Sequence, residues 1–157
     1  AIPLALLSEV AAATAIGTDM ATGALATALE NAKDLGLADR FSTLRSNWFE
    51  SVSGSFDLIV SNPPYIRSDV IPHLDIAVRD HDPLLALDGG EDGLDAYRAI
   101  AVGAPAHLVE DGCLAVEIGF DQAESVGALF SAEGFKVEPV HLDLAGNDRV
   151  LLMKMRQ

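Results

Sequence analysis

Residues 62–65 read Asn-Pro-Pro-Tyr and close an apolar run, Phe56–Ser61, that reads as a fully buried strand. Proline fixes its own φ and drives the residue before it out of the helical region. The backbone around Asn62 and Pro63 is therefore stiff, and Pro64 brings no N–H to compete for nearby acceptors. Two oxygens, the Asn62 side-chain carbonyl and the Pro63 backbone carbonyl, would stand together at the carboxyl end of a strand. Open α/β sheets bind their ligands at that end. The guest that matches two rigid acceptors is a planar NH2 group with two donors.

Asp19 is a second candidate. It ends a predicted strand just ahead of a helix that starts near Thr22. A carboxylate in this place can accept both hydroxyls of a ribose, or it can simply complement the positive end of the helix. The segment 88–93, Asp-Gly-Gly-Glu-Asp-Gly, has the glycines of a phosphate loop but is flanked by negative charge. A turn leading into the helix at Leu94 is the better reading. Glu117 closes a strand and either faces the site or is solvated. Arg149, beside Asp148 and after Asp143, reads as part of a hairpin charge network.

Two periods alternate along the chain and supply the elements that must position these groups. Ile2, Leu6, Leu7 and Val10 share one helical face. Ala15–Asp19 is a strand; Leu25, Ala28, Leu29, Ala32 and Leu35 form a helical stripe closed by Gly36. Strands follow over 41–46 and 56–61. Residues 66–87 hold no period, with Pro72 and Pro83 as breaks. Leu94, Tyr97, Ala101 and Leu108 give a helix that Pro105 kinks or stops. After Asp111-Gly112 come a strand over 113–118, a helix carrying Ala123, Val126, Leu129 and Phe130 to Gly134, and strands over 135–142 and 149–155 close enough for a hairpin. Alternating strands and helices with a terminal hairpin indicate a mostly parallel α/β sheet with one antiparallel strand.

The chain has 157 residues, half of them hydrophobic, enough for one domain with a real core. Ten basic residues against 24 acidic ones give a net charge of −14. Such a surface repels a phosphate backbone, which argues against direct nucleic-acid binding. Cys113 stands alone, which excludes an intramolecular disulfide, and its neighbours suggest a buried strand position. With no secretory signal and no apolar run of 18 residues, a cytoplasmic protein without membrane attachment is expected. His73, His81, His107 and His141 are scattered without metal-ligand spacing, so no metal site is expected.

The tetrapeptide in its context resembles the Asn-Pro-Pro-Tyr motif of methyltransferases that act on exocyclic or amide NH2 groups. The wider chain is similar to the glutamine N5-methyltransferases of peptide chain release factors. The matching residues are Asp19, the 30–32 Glu-Asn-Ala segment, Asn47-Trp48-Phe49, residues 56–66, residues 86–94, Glu117-Ile118-Gly119 and residues 143–149. The resemblance implies a class I, Rossmann-like, S-adenosylmethionine-dependent methyltransferase fold, with S-adenosyl-L-methionine as cofactor and a release factor as protein partner. It assigns Asp19 to the cofactor ribose, Asn47 and Trp48 to the adenine, Asn62 to both cofactor and substrate, and Pro63, Pro64 and Tyr65 to the substrate glutamine. Asn62 and Pro63 would carry catalysis. Asn47 departs from the family's usual aspartate, and an amide there can accept from the adenine amino group and donate to a ring nitrogen. Asp82-Pro83 stands where the family has glutamate-proline, and no catalytic role is assigned to it.

The family also carries a strand, a glycine-rich loop and an amino-terminal helical domain ahead of the first helix seen here. The expectation is therefore that residues 1–157 are part of a methyltransferase catalytic domain, its first strand missing and its two sheet neighbours left with free edges. A ribosomal-protein glutamine methyltransferase shares the motif. An adenine N6-methyltransferase and, for this chain alone, a non-catalytic module are the more distant alternatives.

Overall fold

Pro3 lies in the first turn of α1 (Ile2–Glu9), where its missing N–H costs nothing. The computed structural model, which describes residues 1–156, divides after Gly54 into two units. In the first, β1 (Ala15–Asp19) and β2 (Phe41–Arg45) pair in parallel, Ala15 opposite Phe41 and Asp19 opposite Arg45. The crossover between them is α2 (Thr22–Asp34), which gives way to a turn at Gly36. Leu4, Leu7, Ala32, Leu37 and Phe41 form the buried cluster, with Ala28 and Leu29 packed against it. The expected α1 stripe is corrected: Ile2, Leu6 and Val10 are exposed. A two-turn helix buries only a narrow stripe, and Leu4 and Leu7, three apart, occupy it. Leu35 is exposed as well, because α2 ends before it and Leu37 takes the inward position.

Arg40 joins the end of α1 to β2. Its Nη2 donates to the Leu7 carbonyl (2.8 Å) and its Nη1 to those of Val10 (3.0 Å) and Ala13 (3.1 Å). A helix end leaves such carbonyls without intrahelical donors, and a guanidinium fork serves several at once.

The second unit is built on β3 (Phe56–Ser61), β4 (Leu108–Glu117), β5 (Phe135–Val137), β6 (His141–Leu142) and β7 (Asp148–Met155). The order is β3-β4-β7-β5, with β6 also on β7; β3 and β4 are parallel, and β7 is antiparallel to β4, β5 and β6. Parallel pairing with a terminal antiparallel strand is the α/β pattern expected. The strand expected over 135–142 is two short ones, because Pro139 cannot donate to the ladder. β4 begins earlier than 113. Phe56 pairs with Leu108 and Leu58 with Cys113, so residues 109–112 form a bulge, with Asp111 at φ +65°.

The reading of β3 as fully buried is corrected. Leu58 and Val60 are 42% and 37% exposed, because β3 pairs only with β4 among the described residues. β1 likewise pairs only with β2. Cys113 is half-buried rather than buried.

The remaining helices are α3 (Ile76–Arg79) and α4 (Leu84–Leu87), both single turns, then α5 (Asp95–Gly103) and α6 (Ala123–Ala132). α5 buries Ala96, Tyr97, Ile100 and Ala101, and a 3-10 turn containing Pro105 ends it, so Leu108 belongs to β4 and not to the helix. Phe130 of α6 meets Phe135 of β5 edge to face at 5.5 Å. Full burial of side chains of this size contributes roughly 1.5–3 kcal/mol each.

Arg40→Met keeps the apolar stem and removes the three carbonyl bonds. It should lower unfolding free energy by about 1–3 kcal/mol, read as a lower urea midpoint at unchanged slope. An unchanged midpoint would show that the fork contributes nothing.

Candidate substrate and cofactor site

The chain leaves β3 at Ser61 and turns through Asn62-Pro63-Pro64-Tyr65 without a backbone donor at either proline. Something else must hold this corner. The first hold is a short zipper to the loop after α4. The Ile66 N–H donates to the Leu87 carbonyl (3.0 Å), the Gly89 N–H to the Ile66 carbonyl (2.8 Å) and the Ser68 N–H to the Gly90 carbonyl (3.0 Å). Asp88 closes it, accepting from the Ser68 hydroxyl (2.6 Å) and the Gly90 N–H (2.9 Å). Those bonds, the Ser68 one first, hold its carboxyl below the usual range.

Gln122 is the second hold, and the sequence reading missed it. Its Nε2 donates to the Tyr65 carbonyl (3.1 Å) and the Gly93 carbonyl (3.3 Å). Its Oε1 accepts from the Gly119 N–H (2.9 Å) and the Tyr97 hydroxyl (3.4 Å). A glutamine three residues past a glycine near a strand end has no sequence signature beyond its proximity to a helix start. Its role is visible only once α5, β4 and the corner are in place.

Two glycines permit the close approach. A Cβ on Gly89 would stand 2.9 Å from the Tyr65 Cα, and one on Gly93 would stand 2.6 Å from the Tyr65 carbonyl oxygen. Gly93 also has φ +76°, a region that disfavours side chains. The 88–93 segment is thus the turn expected, with its glycines packed on the corner.

Asn62, Pro63, Tyr65, Ile66, Ala86 and Leu87 line one recess of about 290 Å³. Asn62 is exposed and Pro63 buried. Neither the Asn62 carboxamide nor the Pro63 carbonyl has a hydrogen-bond partner among the described residues. The carbonyls of Tyr65 and Ile66, by contrast, are both taken. The Tyr65 hydroxyl donates to Glu117 Oε1 at 3.3 Å, which fixes the ring. Burial first, and then the Glu117 charge, push that phenol above its usual value. Glu117 therefore touches the corner. Arg149 donates to Asp143 (3.1 Å) and to the Ile118 carbonyl (3.2 Å), the hairpin network read from sequence. The Asn147 N–H and then Arg149 hold the Asp143 carboxyl at about 2.

A larger groove of about 650 Å³ is lined by Arg67, Glu91, Asp92, Asp95 and Arg98. Arg98 pairs there with Asp92 and Asp95, and Arg67 with Asp69, which leaves Glu91 as the lining charge without an ion pair among the described residues. The groove has no apolar wall of the kind found around Asn62. Asp82-Pro83 precedes α4, with the Asp82 N–H on the Val78 carbonyl.

The first unit holds the other candidates. Asp19 is exposed at the end of β1, and its Oδ1 accepts from the Ala21 N–H at 2.8 Å, bracing the start of α2. Asn47 donates one N–H of Nδ2 to Glu50 (2.8 Å), which leaves its oxygen and its second N–H unengaged. Trp48 is half-buried with φ +48°, a strained backbone for so large a side chain. The buried Ser46 hydroxyl holds this turn, donating to the Trp48 carbonyl (2.8 Å) and accepting from the Ser51 N–H (3.0 Å). No cluster of His, Cys, Asp and Glu suited to a metal occurs among the described residues, and none of their helices is long and apolar enough to cross a membrane.

The fold is that of the class I methyltransferases. A ribosomal protein L11 methylase from Lactobacillus delbrueckii subsp. bulgaricus is similar at TM-score 0.69 and 18% identity, over 99% of this chain and 65% of that one. A methyltransferase from Pyrococcus furiosus is similar at TM-score 0.70 and 16% identity, over 95% and 66%. The methyltransferase small domain family matches residues 1–78. In sequence, the chain is 56% identical to a release factor glutamine methyltransferase of Agrobacterium fabrum, over 98% of its own length and 53% of the relative's. It is 49% identical to one of Bradyrhizobium diazoefficiens, over 96% and 51%. Over nearly its whole length the chain is similar to these enzymes, and it spans about half the length of the curated relatives it matches.

Gly93→Ala should destabilise the protein more than Gly54→Ala, whose φ of +86° is as strained but whose Cβ would meet open space. The expected difference in unfolding free energy is about 1–3 kcal/mol. Equal losses would mean that the contact with Tyr65 carries no weight.

Proposed function

We propose that this protein transfers a methyl group to the side-chain nitrogen of the glutamine in the Gly-Gly-Gln motif of a peptide chain release factor. The reading rests on one observation: two unpartnered acceptors, the Asn62 carboxamide oxygen and the Pro63 carbonyl, belong to adjacent residues lining one recess. The names of its sequence relatives supply the protein substrate.

An amide nitrogen is a poor nucleophile because its lone pair is delocalised into the carbonyl. Asn62 and Pro63 each accept one N–H of the target carboxamide, which fixes the direction of the nitrogen and stabilises positive charge developing there. The corner can hold this aim because its flanking carbonyls are already bonded. Tyr65, tethered through its hydroxyl to Glu117, walls the side chain and excludes water. Neither acceptor is a base: they hold the amide protons during transfer, and the methylated nitrogen, then cationic and strongly acidic, releases one of them once the site opens to solvent.

S-adenosylmethionine would supply the electrophilic methyl. The residues present fit that group. Asp19 keeps an exposed carboxylate for a ribose, the unengaged Asn47 oxygen can accept from the adenine amino group, and Trp48 offers an aromatic face.

Selectivity follows from the same two oxygens. A glutamate would bring anionic oxygens against them, and a methylated glutamine would bring one donor for two acceptors. Each unpaired buried group costs roughly 1–3 kcal/mol. A ribosomal-protein glutamine would satisfy the corner equally well. An adenine in nucleic acid would have to approach a chain of net charge −14.

Labelled methyl transfer by the full-length protein, offered separately to a release factor, a ribosomal protein and DNA, tests this. Label should enter the release factor. Asn62→Ala should lower turnover about 100-fold or more, with cofactor affinity falling much less. Turnover at the wild-type rate, or label confined to the other substrates, would overturn the assignment.

A further inference from the structure

The Asn62-Pro63 corner cannot hold itself, because two consecutive prolines leave it without an N–H over its central residues. The zipper at Ile66 and Ser68 begins one residue beyond Tyr65. Within residues 62–65, the backbone bond that reaches Tyr65 comes from Gln122, 57 positions away in sequence. Gln122 is 9% exposed and its carboxamide is satisfied at both ends: both N–H groups on the carbonyls of Tyr65 and Gly93, and its oxygen on the Gly119 N–H, with the Tyr97 hydroxyl shared between that oxygen and the Glu117 carbonyl. It therefore gathers the corner, the glycine turn, the end of β4 and α5 at one point. A buried amide so fully satisfied specifies geometry more than it adds stability.

We propose that Gln122 is a positioning residue for the methyl-transfer reaction. It acts through the Tyr65 carbonyl to fix the direction of the Pro63 carbonyl, and so the aim of the target amide, without touching substrate itself. This rests on the function proposed above. The chemistry excludes simple substitutes. Glutamate at this position would set a carboxylate oxygen against two carbonyls, and methionine fills the volume with no donor.

The test compares wild type, Gln122→Glu and Gln122→Met. Calorimetric titration with S-adenosylmethionine counts competent sites, and turnover on a release factor is then expressed per site. Loosening the corner by about 1 Å should cost about 100-fold in kcat per site. The cofactor Kd and the KM for the release factor should stay within about threefold. A residue that only supported the fold would instead reduce the number of sites and leave kcat per site unchanged, which would overturn the proposal. Loss of cofactor sites in both variants would overturn it too, since Gln122 would then be required for folding rather than aim. Wild type without turnover would refute the proposed function; active wild type with equally active variants refutes only the role of Gln122.

Discussion

Two prolines in succession deny the backbone at 63 and 64 any donor, and that constraint organises the second unit. A corner with free acceptors and no donors is suited to receiving an NH2 group. It is also hard to immobilise, because the ordinary ladder stops at Ser61. The structure answers from outside the corner. The Ile66 and Ser68 amides pair with the 87–90 strip, and Gln122 reaches in from the start of α6. The glycines at 89 and 93 are the steric condition for both, since a methyl on either would collide with Tyr65. Rigidity is thus assembled from three distant stretches of chain around two oxygens left unpaired.

The same logic extends to the neighbours of the corner. Glu117 ends β4 and takes the Tyr65 hydroxyl, while its carbonyl accepts from Tyr97 at 3.0 Å. Tyr97 is wholly buried on α5. Arg149 ties the first residue past β4, through its carbonyl, to Asp143 in the turn before β7. The hairpin therefore braces the strand end that braces the tyrosine. The Tyr65–Glu117 and Arg149–Ile118 contacts join residues 52 and 31 positions apart, so the corner depends on completed tertiary structure.

That dependence sets what could be read from sequence. The corner at Asn62 was legible because proline acts locally, and so were the strand bounds of Ala15–Asp19 and Phe56–Ser61, where apolar runs meet polar stops. The 88–93 turn was legible because acidic flanks exclude the phosphate alternative. Gln122 was not, since nothing local distinguishes a network hub from a solvated glutamine. The stripes of α1 and α2 misled at Val10 and Leu35 because periodicity gives a face but not the length over which it is covered. Leu58 and Val60 misled in the same direction for another reason: an apolar run states an affinity for burial, and only sheet order states whether a neighbour exists. At Asn47 the residue type left donor and acceptor roles open, and Glu50 takes one of its two N–H donors.

The most direct measurement is the structure of the full-length protein bound to a Gly-Gly-Gln peptide and S-adenosylhomocysteine. The account predicts the target side-chain nitrogen within about 3.2 Å of both the Asn62 Oδ1 and the Pro63 carbonyl oxygen, with the Tyr65 ring against the glutamine. A glutamine lodged elsewhere, with those two oxygens facing only solvent, would contradict it.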